Sequence, residues 1–170
     1  SGGVNVCKLY YFGIEIKTCA MVIDFLGKSL ESYRADCGGR LSVKTVLMLT
    51  DQMISSIQYL HSHNLIHRDI KPDNFMIGVK ETSNQIYVID FGLAMFYRDP
   101  NTNVHIPYSE HNSFAGTARY ASISSLRGIG PSRRDDMEAL AYVWAYLLRG
   151  ELPWMNVNAS SLTDKYKQIV

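Results

Sequence analysis

The run His67-Arg68-Asp69-Ile70-Lys71-Pro72-Asp73-Asn74, followed downstream by Asp90-Phe91-Gly92, constrains this chain more than any other feature. Asp69 is a carboxylate placed straight after a helical segment, in a loop that Pro72 stiffens. Lys71 adds a cation two residues on, while Asn74 and Asp90 are oxygen donors for a hard metal. Gly92 allows a sharp turn after the second motif. Two oxygen ligands, one lysine and one free carboxylate suit Mg²⁺ held largely by substrate phosphates. Phosphoryl transfer needs that inventory: charge neutralisation, in-line positioning and a carboxylate that accepts the hydroxyl proton. Singly, each residue is weak evidence, since a lone Asp-Phe-Gly is usually only a turn. Eight fixed positions together arise by chance at about 10⁻¹⁰ per starting point.

The segments around the motifs read as mixed α and β. Val6 to Phe12 and Thr18 to Phe25 are rich in β-formers with Gly13 between them, which predicts a hairpin. Gly27 and Ser29 end the second strand. Val43, Val46, Leu47, Met53, Ile54, Ile57 and Leu60 follow helical spacing, with Ser42 as N-cap. Two short strands are predicted at Asn74 to Gly78 and Gln85 to Ile89, with a polar turn at Glu81 to Asn84. Tyr97 to Gly130 reads as irregular, and a loop of that length is usually functional. A second helix is predicted from about Asp135 to Leu148, buried on nearly all sides and stopped by Gly150.

Composition narrows the partners. Apolar residues make up 46% and charged residues 19%, an ordinary globular balance. Lys+Arg 17 against Asp+Glu 16 gives +1, so no bulk charge draws the chain to nucleic acid or a membrane surface. The longest unbroken apolar run, Ala139 to Leu148, is far short of a spanning helix. Cys7, Cys19 and Cys37 fit neither a disulfide framework nor a zinc knuckle, so a reducing, intracellular setting (cytoplasm or nucleus) is expected. The chain opens Ser1-Gly2-Gly3 without Met and ends inside a helix-like pattern at Tyr166 to Val170, so a fragment is expected.

The two motifs resemble the catalytic loop and the metal-binding Asp-Phe-Gly segment of eukaryotic protein kinases. Most of those carry Ala-Pro-Glu after the activation segment. This chain instead has Gly116-Thr117-Ala118-Arg119-Tyr120-Ala121-Ser122-Ile123-Ser124, then Ser132-Arg133-Arg134-Asp135-Asp136 and Leu152-Pro153-Trp154. With Leu26-Gly27-Lys28-Ser29-Leu30, Tyr97-Arg98-Asp99-Pro100 and His105-Ile106-Pro107-Tyr108, this is similar to the casein kinase 1 family, where Ser-Ile-Asn stands for Ala-Pro-Glu. Ser124 departs from that triplet at its third position.

The resemblance implies an α+β, protein-kinase-like fold that is partial. Residues 1–23 would be the end of the N-lobe sheet, 24–30 the hinge region and 31–170 a truncated, mainly helical C-lobe. It implies ATP and Mg²⁺ as cofactors, and a monomer acting on protein Ser/Thr sites that are acidic or already phosphorylated. Asp69 would be the catalytic base, Lys71 would contact the transferred phosphate, and Thr117 would position that pair. Asn74 and Asp90 would hold the metal. The backbone of Asp24 and Leu26 would read adenine, Ile23 would be the gatekeeper, Met76 and Ile89 would pack on the base, and Ser29 would lie near the ribose. Arg119 and Lys165 match one substrate anion site and Arg68 a second, where Met95 and Asn112 replace further lysines. Arg133 and Arg134 are read as ion pairs near Asp135 and Asp136.

No Gly-rich loop, strand lysine or paired helix glutamate is recognisable in the sequence, so the chain by itself is expected to be inactive. The competing reading is a catalytically dead, partner-binding scaffold, which the intact Asp69, Lys71, Asn74 and Asp90 oppose. A small-molecule phosphotransferase is opposed by the long activation segment.

Overall fold

The computed structural model describes residues 3–15, 18–157 and 161–169. Strands β1 (Leu9–Glu15) and β2 (Thr18–Ile23) pair antiparallel. Helix α1 (Leu30–Asp36) follows, then α2 (Val43–Ser62). Four short strands come next: β3 (Leu65–Ile66), β4 (Phe75–Ile77), β5 (Ile86–Val88) and β6 (Met95–Phe96). Helices α3 (Ile123–Leu126), α4 (Arg133–Arg149) and α5 (Leu162–Ile169) complete the order. The short strands pair as β3–β6 and β4–β5, both antiparallel. The fold is thus mixed α+β, a small hairpin beside a mainly helical body. No described helix is long and apolar enough to cross a membrane.

The hairpin forms as expected, but Gly13 is not its turn. Gly13 sits inside β1 opposite Ala20, and the strands connect after Glu15, which pairs with Thr18. A Cβ at Gly13 would lie 2.3 Å from the Tyr11 hydroxyl, so the glycine marks a close approach within the strand.

Ser42 caps α2 as expected, its Oγ accepting the Thr45 N–H at 3.1 Å. The apolar stripe of α2 packs Val46, Leu49, Met53, Ile57 and Leu60 against Leu140, Val143 and Leu147 of α4. Each such side chain contributes roughly 1.5–3 kcal/mol by leaving water. Leu30 joins this core from α1, and Phe75 and Val88 from the β4–β5 pair, which seats the loop before β4 on the helical body.

Gly150 ends α4 in the left-handed region, φ +84°, where a Cβ would lie 2.9 Å from the Gly39 carbonyl. Burial of α4 on nearly all sides does not hold. Met137 and Leu148 are 39% and 37% exposed, so one flank of the helix faces outward. Within the irregular stretch, the four residues of α3 form a helix started by Ser122, whose Oγ accepts the Ser125 N–H.

Candidate active site

The residues of the loop from His67 to Asn74 converge around one carboxylate. Asp69 is 8% exposed, and both its oxygens are engaged. Lys71 Nζ donates to Oδ2 at 2.7 Å and Thr117 Oγ1 to Oδ1 at 2.8 Å. Lys71 Nζ also lies 3.5 Å from Thr117 Oγ1, which closes a triangle across two distant segments. Asn74 Nδ2 donates to the Asp69 carbonyl at 2.8 Å and approaches its carboxylate at 3.3 Å. With its amide nitrogen committed there, Asn74 has its oxygen to offer to a metal.

The loop is pinned from below. Asp136, 2% exposed on α4, accepts the N–H of His67 through Oδ2 and of Arg68 through Oδ1, each at 2.9 Å. His61 Nε2 reaches the same Oδ2 at 2.9 Å. Arg68 has φ +70°, a conformation costly for a side-chain-bearing residue, and these bonds hold it there. Buried His67 Nδ1 accepts the Asp69 N–H, and its Nε2 bonds the Ile89 carbonyl at 3.0 Å. His67 therefore ties the loop to the chain entering Asp90.

Asp90 follows β5 with φ +61°, its Oδ1 accepting the Gly92 N–H at 3.2 Å. Ile89 N–H donates to the Asn74 carbonyl at 2.9 Å, so the two expected metal ligands flank one backbone contact. Their neutral and anionic oxygens fit a Mg²⁺ ion that takes its remaining ligands from phosphates and water.

The segment between β2 and α1 lies along β4. Gly27 N–H donates to the Ile77 carbonyl at 2.7 Å and Ile77 N–H to the Lys28 carbonyl at 2.9 Å, and Ser29 bridges Met76. This brings Ser29 against Met76. The Ser29 hydroxyl caps α1 through the Ser32 N–H. The Asp24 carboxylate accepts the Lys8 N–H at 2.6 Å and the Tyr10 hydroxyl at 2.8 Å, which hold its pKa below the ordinary value. A cavity of about 440 Å³ beneath the hairpin is lined by Ile23, Ile89 and Asp90 together with Cys7 and Phe91.

The residues expected at the two anion sites have the following surroundings. Arg68 Nη1 turns to the Met95 thioether at 3.3 Å. Arg119 stands 5.9 Å from the ring centres of both Tyr120 and Tyr146, with its carbonyl held by Trp154 Nε1 at 2.7 Å. Lys165 falls in α5, and its side chain lies outside the described set.

Of the ion pairs read for Arg133 and Arg134, the one between Arg134 and Asp135 is present, and Arg133 packs elsewhere. Arg133 stacks over Tyr97 at 4.6 Å, and Arg134 Nε pairs with Asp135 Oδ1 at 3.8 Å. Asp135 also accepts from the Ser132 N–H and the Ser122 hydroxyl, at 2.7 and 2.6 Å. The loop-anchoring role of Asp136 is the main residue that sequence reading missed. Two of its three partners are backbone N–H groups, which leave no side-chain pattern to read, and the third, His61, lies far away in sequence.

Burial works to raise the Asp69 carboxyl, but the hydrogen bonds from Lys71 and Thr117 and the Lys71 charge outweigh it, and its pKa is lowered. The bond to Asp69 raises the Lys71 ammonium against the opposing effect of burial. Asp69's contribution to stability is therefore full above its unfolded pKa of ~3.9 and is lost as pH falls through its lower folded value. Lys71's is full below ~10.4 and is lost as pH rises through its higher folded value. We expect this pair to leave the urea midpoint flat between about pH 5 and 9. Asp69→Asn should flatten the acid fall below about pH 4, and an unchanged acid fall would contradict the assignment.

Gly116 has φ +113°, and a Cβ there would lie 2.5 Å from the Arg68 carbonyl and 3.5 Å from Asp69 Oδ1. Gly116→Ala should displace the carboxylate and lower turnover by about 10²-fold with the chain still folded. Near-normal turnover in that variant would show that the approach is not functional.

A family model described as Protein kinase domain matches residues 2–170.

Proposed function

This chain belongs to the protein kinase domain family, and on that premise we propose that it transfers the γ-phosphate of ATP to Ser or Thr hydroxyls in the manner of casein kinase 1. Phosphotransfer to protein substrates follows from the family. The acceptor type, the subfamily and the residue roles are our reading. The observation that supports it most is the closed set of contacts among Asp69, Lys71 and Thr117.

Asp69, ionised throughout the neutral range, orients the acceptor hydroxyl and takes its proton as the new bond forms. Thr117 and Asn74 fix the carboxylate by donating to it, so its orientation is set before substrate arrives. Lys71, bonded to Asp69, meets the transferred phosphate with its charge. Asn74 and Asp90 would hold Mg²⁺, Asp24 and Leu26 would read the adenine edge, Met76 and Ile89 would pack on the base, and Ser29 would lie near the ribose. When bound, ATP would supply the phosphoryl group and Mg²⁺ would offset its charge.

Arg119 with Lys165 gives a preference for acidic or phosphorylated protein substrates, and Arg68 adds little because it faces Met95. Residues 1–170 alone are inactive in this reading, since no Gly-rich loop or strand lysine is recognisable among them. The test compares serine peptides with acidic, phosphorylated and neutral upstream residues, using the full-length protein. The acidic and phosphorylated peptides should have the lower KM, and Arg119→Ala should erase the difference with kcat kept. Equal KM values in the wild type would remove the substrate preference from the proposal.

A further inference from the structure

We propose that Arg34 sets substrate selectivity: by holding the Glu31 carboxylate, it keeps Arg119 available to an anionic group on the substrate. The proposal rests on the preference for acidic or phosphorylated substrates given above. Arg34 acts through Glu31 and touches no substrate, so it is a positioning residue. The three side chains meet at the ring of Tyr146, which is 2% exposed on α4. The Arg34 guanidinium lies 4.5 Å from the ring centre and that of Arg119 lies 5.9 Å from it. The Tyr146 hydroxyl donates to Glu31 Oε1 at 3.0 Å. Glu31 therefore stands within electrostatic reach of both arginines.

The carboxylate is committed to one of the two. Arg34 Nη2 donates to Oε1 at 2.7 Å and Nε to Oε2 at 3.2 Å, a grip on both oxygens. The pair is three residues apart on α1, a spacing that puts both side chains on one helix face. Arg34 Nη1 donates to the Gly39 carbonyl at 2.6 Å, so the guanidinium is anchored on its other side as well. Arg119 has no such grip on an acid. Among the described residues no carboxylate forms an ion pair with it, and it is exposed. Two guanidiniums against one carboxylate leave one net positive charge, which resides on the arginine that solvent reaches. Without Arg34, Glu31 would keep the Tyr146 hydroxyl and have Arg119 as the cation left in its reach. A carboxylate of the protein's own would then compete with a substrate anion for the Arg119 donors.

The experiment uses the full-length protein and two serine peptides, identical except for phosphoserine or alanine upstream of the acceptor. Arg34→Met should raise the KM for the phosphorylated peptide about tenfold, with kcat and KM for the alanine peptide unchanged. Adding Glu31→Gln to Arg34→Met should return that KM to within about twofold of wild type, because no carboxylate then competes for Arg119. A residue that merely supports α1 would give a double variant no better than the single one. Glu31→Gln alone should lower the KM for the phosphorylated peptide or leave it unchanged. An unchanged KM in Arg34→Met, an equal loss on both peptides, or no recovery in the double variant would overturn the proposal and leave the substrate preference standing. Should Arg34→Met fail to fold, Glu31→Gln alone decides, since a several-fold rise in its KM for the phosphorylated peptide would overturn the proposal by itself. Equal KM values for the two peptides in the wild type would overturn both the proposal and the preference it rests on.

Discussion

Asp69→Asn is expected to lower kcat by about 10²–10⁴ with the KM for ATP unchanged. The amide cannot accept the hydroxyl proton, but it is nearly isosteric and keeps an oxygen for Thr117 or Lys71. The loop geometry should therefore survive, because it depends on Asp136, His67 and Asn74 as well. A large rise in the KM for ATP with kcat kept would mean that Asp69 serves nucleotide binding instead. Steady-state kinetics on one serine peptide separate the two outcomes.

The largest expected loss of stability comes from Asp136→Ala. That carboxylate satisfies two backbone N–H groups and the His61 imidazole at a position 2% exposed. Its removal strands those donors away from water, at about 1–3 kcal/mol each where no water replaces them. It also releases Arg68 from its positive φ. We expect a total loss of about 3–5 kcal/mol, against a typical domain stability of 5–15 kcal/mol. Asp136→Asn should recover part of this, because one oxygen still accepts while the amide opposes the second donor. Urea unfolding followed by circular dichroism reads the difference. A loss below about 1 kcal/mol for Asp136→Ala would show that the loop is held by other contacts.

The loop from His67 to Asn74 was legible because its pattern is written in side chains at fixed spacing: Asp69, Lys71 and Asn74 meet around one carboxylate, as their types suggest. Thr117 was legible only through the family resemblance, since nothing local links it to a residue far upstream. Helix α2 showed in its period and its Ser42 cap. The β3–β6 pair did not, because two-residue strands have no period. Helix α1 was missed for a similar reason, being short and burying only Leu30. Gly13 misled because a glycine between β-rich runs looks like a turn, and only the hairpin register shows otherwise. Asp135 and Asp136 were grouped with the arginines by sequence adjacency. Successive helix positions point apart, and the two carboxylates serve different segments.

The most direct measurement of the central claim is transfer from γ-labelled ATP by the full-length protein to a protein mixture, followed by identification of the modified amino acid. The account predicts label on serine and threonine, dependent on Mg²⁺ and nearly lost in Asp69→Asn. Label on tyrosine, or transfer that survives Asp69→Asn unchanged, would contradict it.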